Sequence, residues 1–182
     1  MILFGGEPTL YEDRFIEIMK TKKIMSVSTN LYRLSQNMIK SMEEQDFLLM
    51  STSWNQTRFP NENEYHKWLI TFNSLKKIKG EIIVLITMTQ DLIDESNYQH
   101  VLQVIKDIDK YQNVRGILFE YYVGDYATDE FNEKCDDWLC KIHKDWNFRL
   151  SNIIENEIDH WHKNCSDVYT LEPDGTLRPG CP

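Results

Sequence analysis

Five short clusters of small and polar residues each follow an apolar run, and they hold the side chains with the most chemical capability. In chain order they are Gly5-Gly6-Glu7-Pro8, Ser28-Thr29-Asn30, Ser51-Thr52-Ser53-Trp54-Asn55, Thr87 to Asp91 and Glu120 to Asp125. Paired glycines let a ligand approach the backbone closely. Glu7 can accept hydrogen bonds from an ammonium group, and the Ser, Thr and Asn tips can bind ribose hydroxyls or an adenine edge. The same residues also suit a plainer role, in which Gly-Gly makes a tight turn, Pro8 starts a helix and the others cap helices.

Thiols and imidazoles are the second chemical resource. Cys135 and Cys140 sit five apart on an expected helix, about 140° around its axis, so the pair reads as core or helix surface rather than as one metal grip. His162 and Cys165 are three apart and can share a helical face, with Cys181 and His160 as further zinc donors. His160 and His162, however, are two apart and point to different sides of a helix. Solvated histidines beside a packed Trp161 are the competing reading. The acidic residues Asp129, Glu130, Glu133, Asp136 and Asp137 suit a helix start and solubility better than a metal site.

The elements that must position these groups alternate between β-rich apolar runs and segments of helical period up to about Trp146, the pattern of βα units on a parallel sheet. Strands are expected at Met1 to Phe4, Ile24 to Thr29, Phe47 to Ser53, Ile82 to Met88 and Gly116 to Val123. The Ile82 to Met88 run is nearly all apolar, as in a strand covered on both faces. A capping box at Thr9-Leu10-Tyr11-Glu12 opens a helix that buries Phe15, Ile18 and Met19. Further helical stripes are Leu34, Met38, Met42; Tyr65, Trp68, Leu69, Phe72, Leu75; Val101, Leu102, Ile105, Ile108; and Phe131, Cys135, Trp138, Ile142, Trp146. Beyond Trp146, Ile153, Ile154, Ile158 and Trp161 suggest one more helix. Glu172-Pro173-Asp174-Gly175 is a turn signal between Val168 to Leu171 and Thr176-Leu177. In open parallel sheets ligands bind beyond the carboxyl ends of the strands, which is where the polar clusters fall.

Composition narrows the function. The 182 residues carry 20 Lys+Arg against 29 Asp+Glu, a net charge of −9, so the surface repels polyanions and nucleic-acid binding is disfavoured. No run of about 18 apolar residues exists to span a membrane, and Met1-Ile2-Leu3-Phe4 lacks the flank and length of a signal peptide, which points to the cytoplasm. Four cysteines without an export signal read as thiols or metal ligands rather than a disulfide scaffold.

Phe4-Gly5-Gly6-Glu7-Pro8-Thr9 resembles the second-strand motif of radical S-adenosylmethionine (radical SAM) enzymes, and Ser26-Val27-Ser28-Thr29-Asn30 resembles their third-strand motif. Ser51-Thr52-Ser53-Trp54-Asn55 takes the place of the fourth-strand serine segment. The resemblance spans roughly residues 1 to 146 and implies a partial (β/α) barrel whose first βα unit is missing. It implies that Gly5, Gly6 and Glu7 contact the methionine amino group of S-adenosylmethionine. Asn30 and Ser53 would then lie near the ribose, with Ser51 an equal candidate. Residues 147 to 182 form a second unit, a short helix and β-hairpin. Cys165 to Cys181 is similar to the opening hairpin of SPASM and twitch extensions, where such cysteines ligate an auxiliary iron-sulfur cluster. The second gap, between Gly175 and Cys181, is slightly long for that pattern, and small hydrophobic cysteines are the plain alternative.

The family's 4Fe-4S cluster needs three thiolates from a Cys-x3-Cys-x2-Cys loop. The first cysteine here is Cys135, so the radical SAM cluster is not expected in this chain and any remaining S-adenosylmethionine affinity should be weak. The favoured expectation is a fragment of a radical SAM enzyme acting on a peptide or protein substrate, inactive alone. A split enzyme is the second reading, with a partner chain paired to the exposed edge of the first strand. A non-catalytic binding or scaffold module is the third.

Overall fold

The computed structural model describes residues 2–4, 7–24, 26–46, 49–54, 62–122, 124–125, 127–145, 151–153, 168–171 and 177–179. Apolar strands and helices alternate as the sequence periods require: β1 (Ile2–Phe4), α1 (Glu12–Thr21), β2 (Ser26–Thr29), α2 (Gln36–Glu43), β3 (Leu49–Trp54), α3 (Glu62–Ser74), β4 (Glu81–Met88), α4 (Tyr98–Asp109), β5 (Val114–Tyr121) and α5 (Asp129–Asp145). Three short strands follow, β6 (Ser151–Ile153), β7 (Val168–Leu171) and β8 (Leu177–Pro179). Among the described residues they make one sheet in the order β6-β5-β4-β3-β2-β1-β7-β8. Every pairing is parallel except β7 with β8. This is the α/β architecture of a partial (β/α) barrel.

Consecutive parallel neighbours joined by right-handed crossovers place the connecting helices on one face. That face is the core. Its rows run across the strands in register: Leu3, Val27, Met50 and Ile82, then Thr52, Val84 and Ile117, then Trp54, Ile86 and Phe119, all buried. Against them pack Phe15, Ile18 and Met19 of α1, Met38 and Met42 of α2, Trp68 and Phe72 of α3, Ile105 of α4, and Cys135 and Trp138 of α5. Each large apolar side chain so buried contributes roughly 1.5–3 kcal/mol. The Ser35 hydroxyl caps α2 by accepting from the Met38 amide at 3.2 Å.

Four expectations need correction. Strand β4 is fully buried on one face only; Ile83, Leu85 and Thr87 are half-buried, and among the described residues the helices pack on the first face. The Thr9 capping box does not form. Pro8–Leu10 is a turn of 3-10 helix, α1 starts at Glu12 with Tyr11 as its N-cap and no side-chain cap, and the Thr9 hydroxyl donates to Glu7 instead. Ile153 closes strand β6 rather than lying in a helix; Ile154, Ile158 and Trp161 lie outside the described residues.

The edge of the first strand, which the sequence leaves open to a partner chain, is covered. β7 pairs with it in parallel, Ile2 with Val168, Leu3 with Tyr169 and Phe4 with Thr170. The chain's own C-terminal strand thereby satisfies backbone groups that would otherwise template association, and β8 adds an antiparallel strand outside it. The expected turn at Glu172 to Gly175 lies outside the described residues. Deleting residues 168–182 should lower the melting temperature and produce concentration-dependent self-association in analytical ultracentrifugation. A monomer of unchanged melting temperature would mean that β7 does not protect the edge.

Candidate functional site

At the carboxyl ends of β1 and β2 one carboxylate gathers four donors. Glu7 has an extended backbone at the N-cap of the Pro8–Leu10 turn. Its Oε1 accepts from the Thr9 amide at 3.2 Å, the Thr9 hydroxyl at 2.7 Å and the Thr29 hydroxyl at 2.6 Å. Its Oε2 accepts from the Asn30 amide at 2.8 Å. The network continues into the loop after β2, where Thr29 Oγ1 accepts from the Leu31 amide at 3.2 Å and Asn30 Oδ1 accepts from the Tyr32 amide at 2.8 Å. Between those two turns Leu31 adopts φ 65 with its side chain buried. A left-handed leucine costs about 1–2 kcal/mol, and the two flanking side-chain acceptors hold it there.

This changes the reading of Glu7. The residue expected to meet a ligand's ammonium is engaged by the protein's own donors. An ionised carboxylate offers about four acceptor sites. Oε1 takes three of the donors, so the remaining capacity is on Oε2. Asn30 is half-buried, and its Nδ2 has no acceptor among the described residues.

The face turned away from the helices carries the other candidates. Ser28, Ser51, Ile83 and Gly116 share one row, Ser53, Leu85 and Leu118 the next, and Thr87 and Glu120 the last before the strand ends. Ser51 and Ser53 are half-buried there, so both serines of the third cluster face the same side, as alternation in a strand requires. Glu120 heads the fifth polar cluster, to which the family resemblance assigns no role. Burial alone pushes its carboxyl above the usual carboxylate range. The signal in the sequence is its position at the end of the apolar run Ile117-Leu118-Phe119, where an acid interrupts a strand otherwise suited to burial.

Metal-ligating groups do not converge. Among the described residues no three His, Cys, Asp or Glu side chains are placed to hold an ion. Cys135 is buried in α5, its thiol pushed up to about 11 by burial and by Asp136, while Cys140 is exposed. Burial of Cys135 works against the thiolate that a ligand must be, and two described cysteines do not make the three-thiolate set of a radical SAM-type cluster. Gly5, Gly6, Cys165, Cys181, His160 and His162 lie outside the described residues. A cleft of about 1060 Å³ between the loop after β4 and α5 is lined by Asp94, Glu95, Phe131, Lys134 and Trp138, with Gln90 and Asp125 from the fourth and fifth polar clusters. Among the described residues no helix is long and apolar enough to cross a membrane.

No protein-family model and no curated protein matches the chain. Its fold is similar to that of Streptococcus suis SuiB. A SuiB crystal structure aligns with a TM-score of 0.54 at 14% identity, over 85% of this chain and 38% of that one. SuiB bound to S-adenosylmethionine aligns at 0.53 with 13% identity, over 97% and 51%. SuiB bound to precursor peptide SuiA aligns at 0.52 with 14% identity, over 97% and 47%. The chain thus spans about half of the SuiB chains or less, and at this identity the likeness is one of fold.

Two substitutions test the site's energetics. Thr29→Val removes the donor to Glu7 and the acceptor for Leu31, and should cost about 1–3 kcal/mol in urea denaturation; an unchanged midpoint would show that the clamp is not tight. Glu120 carries a carboxyl whose folded pKa exceeds its unfolded value, so its protonated form favours the fold. That stability is full below the unfolded pKa and is lost as pH rises through the folded one. Glu120→Gln should therefore raise the melting temperature at neutral pH, with the gain vanishing in acid. A gain independent of pH would assign it to packing.

Proposed function

We propose that the chain forms the S-adenosylmethionine-facing and peptide-facing part of a radical SAM-type enzyme that modifies peptides. The observation that carries this reading is the Glu7 clamp. It joins the two segments with the family resemblance, Gly5-Gly6-Glu7-Pro8 and Ser28-Thr29-Asn30, at the carboxyl ends of neighbouring strands. The fold likeness to SuiB structures bound to S-adenosylmethionine and to a precursor peptide supports it.

In this reading Oε2 of Glu7 accepts from the cofactor's amino group alongside the Asn30 amide. The Asn30 side chain and the Ser53 hydroxyl bind the ribose, and Gly5-Gly6 leaves room for the methionine end. Cys165 and Cys181 are proposed as partial ligands of an auxiliary cluster. The described cysteines do not fit the radical-generating cluster, so no step through it is derived. Its three thiolates would come from outside these 182 residues. The same lack of a thiolate set favours, as a second reading, a binding module without catalysis.

Calorimetry of the full chain with S-adenosylmethionine tests the proposal. Weak binding is expected, and Asn30→Ala and Ser53→Ala should each weaken it about threefold to tenfold, the loss of one hydrogen bond. Absence of binding, or affinity unchanged in both variants, would remove the cofactor from this rim. Anaerobic reconstitution with iron and sulfide should leave the chain without a stoichiometric cluster. A full cluster with release of 5′-deoxyadenosine would overturn the reading of the thiolates.

A further inference from the structure

Glu120 sits where the neighbouring rows of the open face carry leucines. Leu85 and Leu118 form the row before it, and Thr87 lies beside it on β4. It is half-buried, and among the described residues it makes no hydrogen bond or ion pair. Of the described cations following β4 and β5, Lys134 pairs with Glu130 and Lys141 with Glu95. Tyr122, two residues on, donates its hydroxyl to Asp125 at 3.3 Å. A carboxyl withdrawn from water without a partner is costly to the fold, and the cost is recovered when a cation meets it. Nothing in the packing of β5 calls for an acid at this place, since the strand's other buried positions are filled by Ile117, Leu118 and Phe119.

We infer that Glu120 anchors a guanidinium or ammonium side chain of the peptide that lies on the open face of the sheet. The assignment rests on the peptide reading above and adds to it a preference for a basic residue. The net charge of −9 favours approach of such a ligand. Because burial disfavours the ionised carboxyl and a bound cation favours it, complex formation should release a proton from Glu120 in its titration range.

The experiment titrates the full chain by calorimetry with three probes: Gly-Arg-Gly amide, its neutral analogue Gly-citrulline-Gly amide, and agmatine. The arginine peptide should bind about tenfold more tightly than the citrulline peptide, as expected for a charged hydrogen bond. Glu120→Gln, a near-isosteric change that removes the titratable carboxyl, should abolish that preference and the proton release measured across buffers of different ionisation enthalpy. If both peptides bind equally, or the preference survives in Glu120→Gln, the assignment falls while the peptide reading stands. If agmatine binds with the same dependence on Glu120 and neither peptide does, the cation site holds and the peptide reading falls. Binding of no probe overturns the site.

Discussion

Four protein donors converge on the Glu7 carboxylate, and what they join determines the shape of the rim. Two come from the turn that follows β1 and two from the end of β2, so one side chain ties strand ends separated by more than 20 residues of sequence. Charge-assisted bonds of this kind are roughly twice as strong as neutral ones. They also fix the backbone of Asn30, and through Thr29 and Asn30 they set the two turns that hold Leu31 in a left-handed conformation. A ligand that recognises this corner meets a prearranged backbone, and little ordering cost remains to be met on binding.

The two faces of the sheet divide the work. The helix-covered face is a continuous set of apolar rows, and its burial holds the strands in register. The open face combines serines, a threonine and a glutamate with Ile83, Leu85 and Leu118, a mixture too polar for a core and too apolar for a solvated surface. The remaining structural problem is the edge at β1, solved locally by β7 and passed on to β8, a strand of three described residues, one of them proline. Short strands and proline are the usual ways of blunting an edge.

Local periodicity made most of the architecture legible. Phe15, Ile18 and Met19, or Val101, Ile105 and Ile108, announce buried helix faces because 3.6-residue spacing is written into consecutive sequence. The strand ends were legible for the same reason, since polar residues stop each apolar run. What escaped was non-local. The pairing of Leu3 with Tyr169 depends on residues at opposite ends of the chain and has no local signature. Thr9 and Glu12 satisfy the capping-box spacing, yet Glu7, two residues upstream, offers the Thr9 hydroxyl a charged acceptor and wins. The role of Glu7 was half legible: its place at the rim followed from the motif, but its engagement by Thr29 and Asn30 required the pairing of two strands.

The rim therefore holds two carboxylates in opposite situations. Glu7 is surrounded by donors, three on Oε1 and one on Oε2, before any ligand arrives. Glu120 is withdrawn from water with no described donor, and burial alone raises its carboxyl. An acid held by several donors orders what surrounds it and keeps acceptor capacity only on Oε2, whereas a half-buried acid without a described partner has its whole capacity left for a ligand. Environments that separate like groups in this way assign them different tasks. One carboxylate builds the corner that joins the ends of β1 and β2, and the other, four strands along the same sheet, stands half-buried on the open face without a described partner.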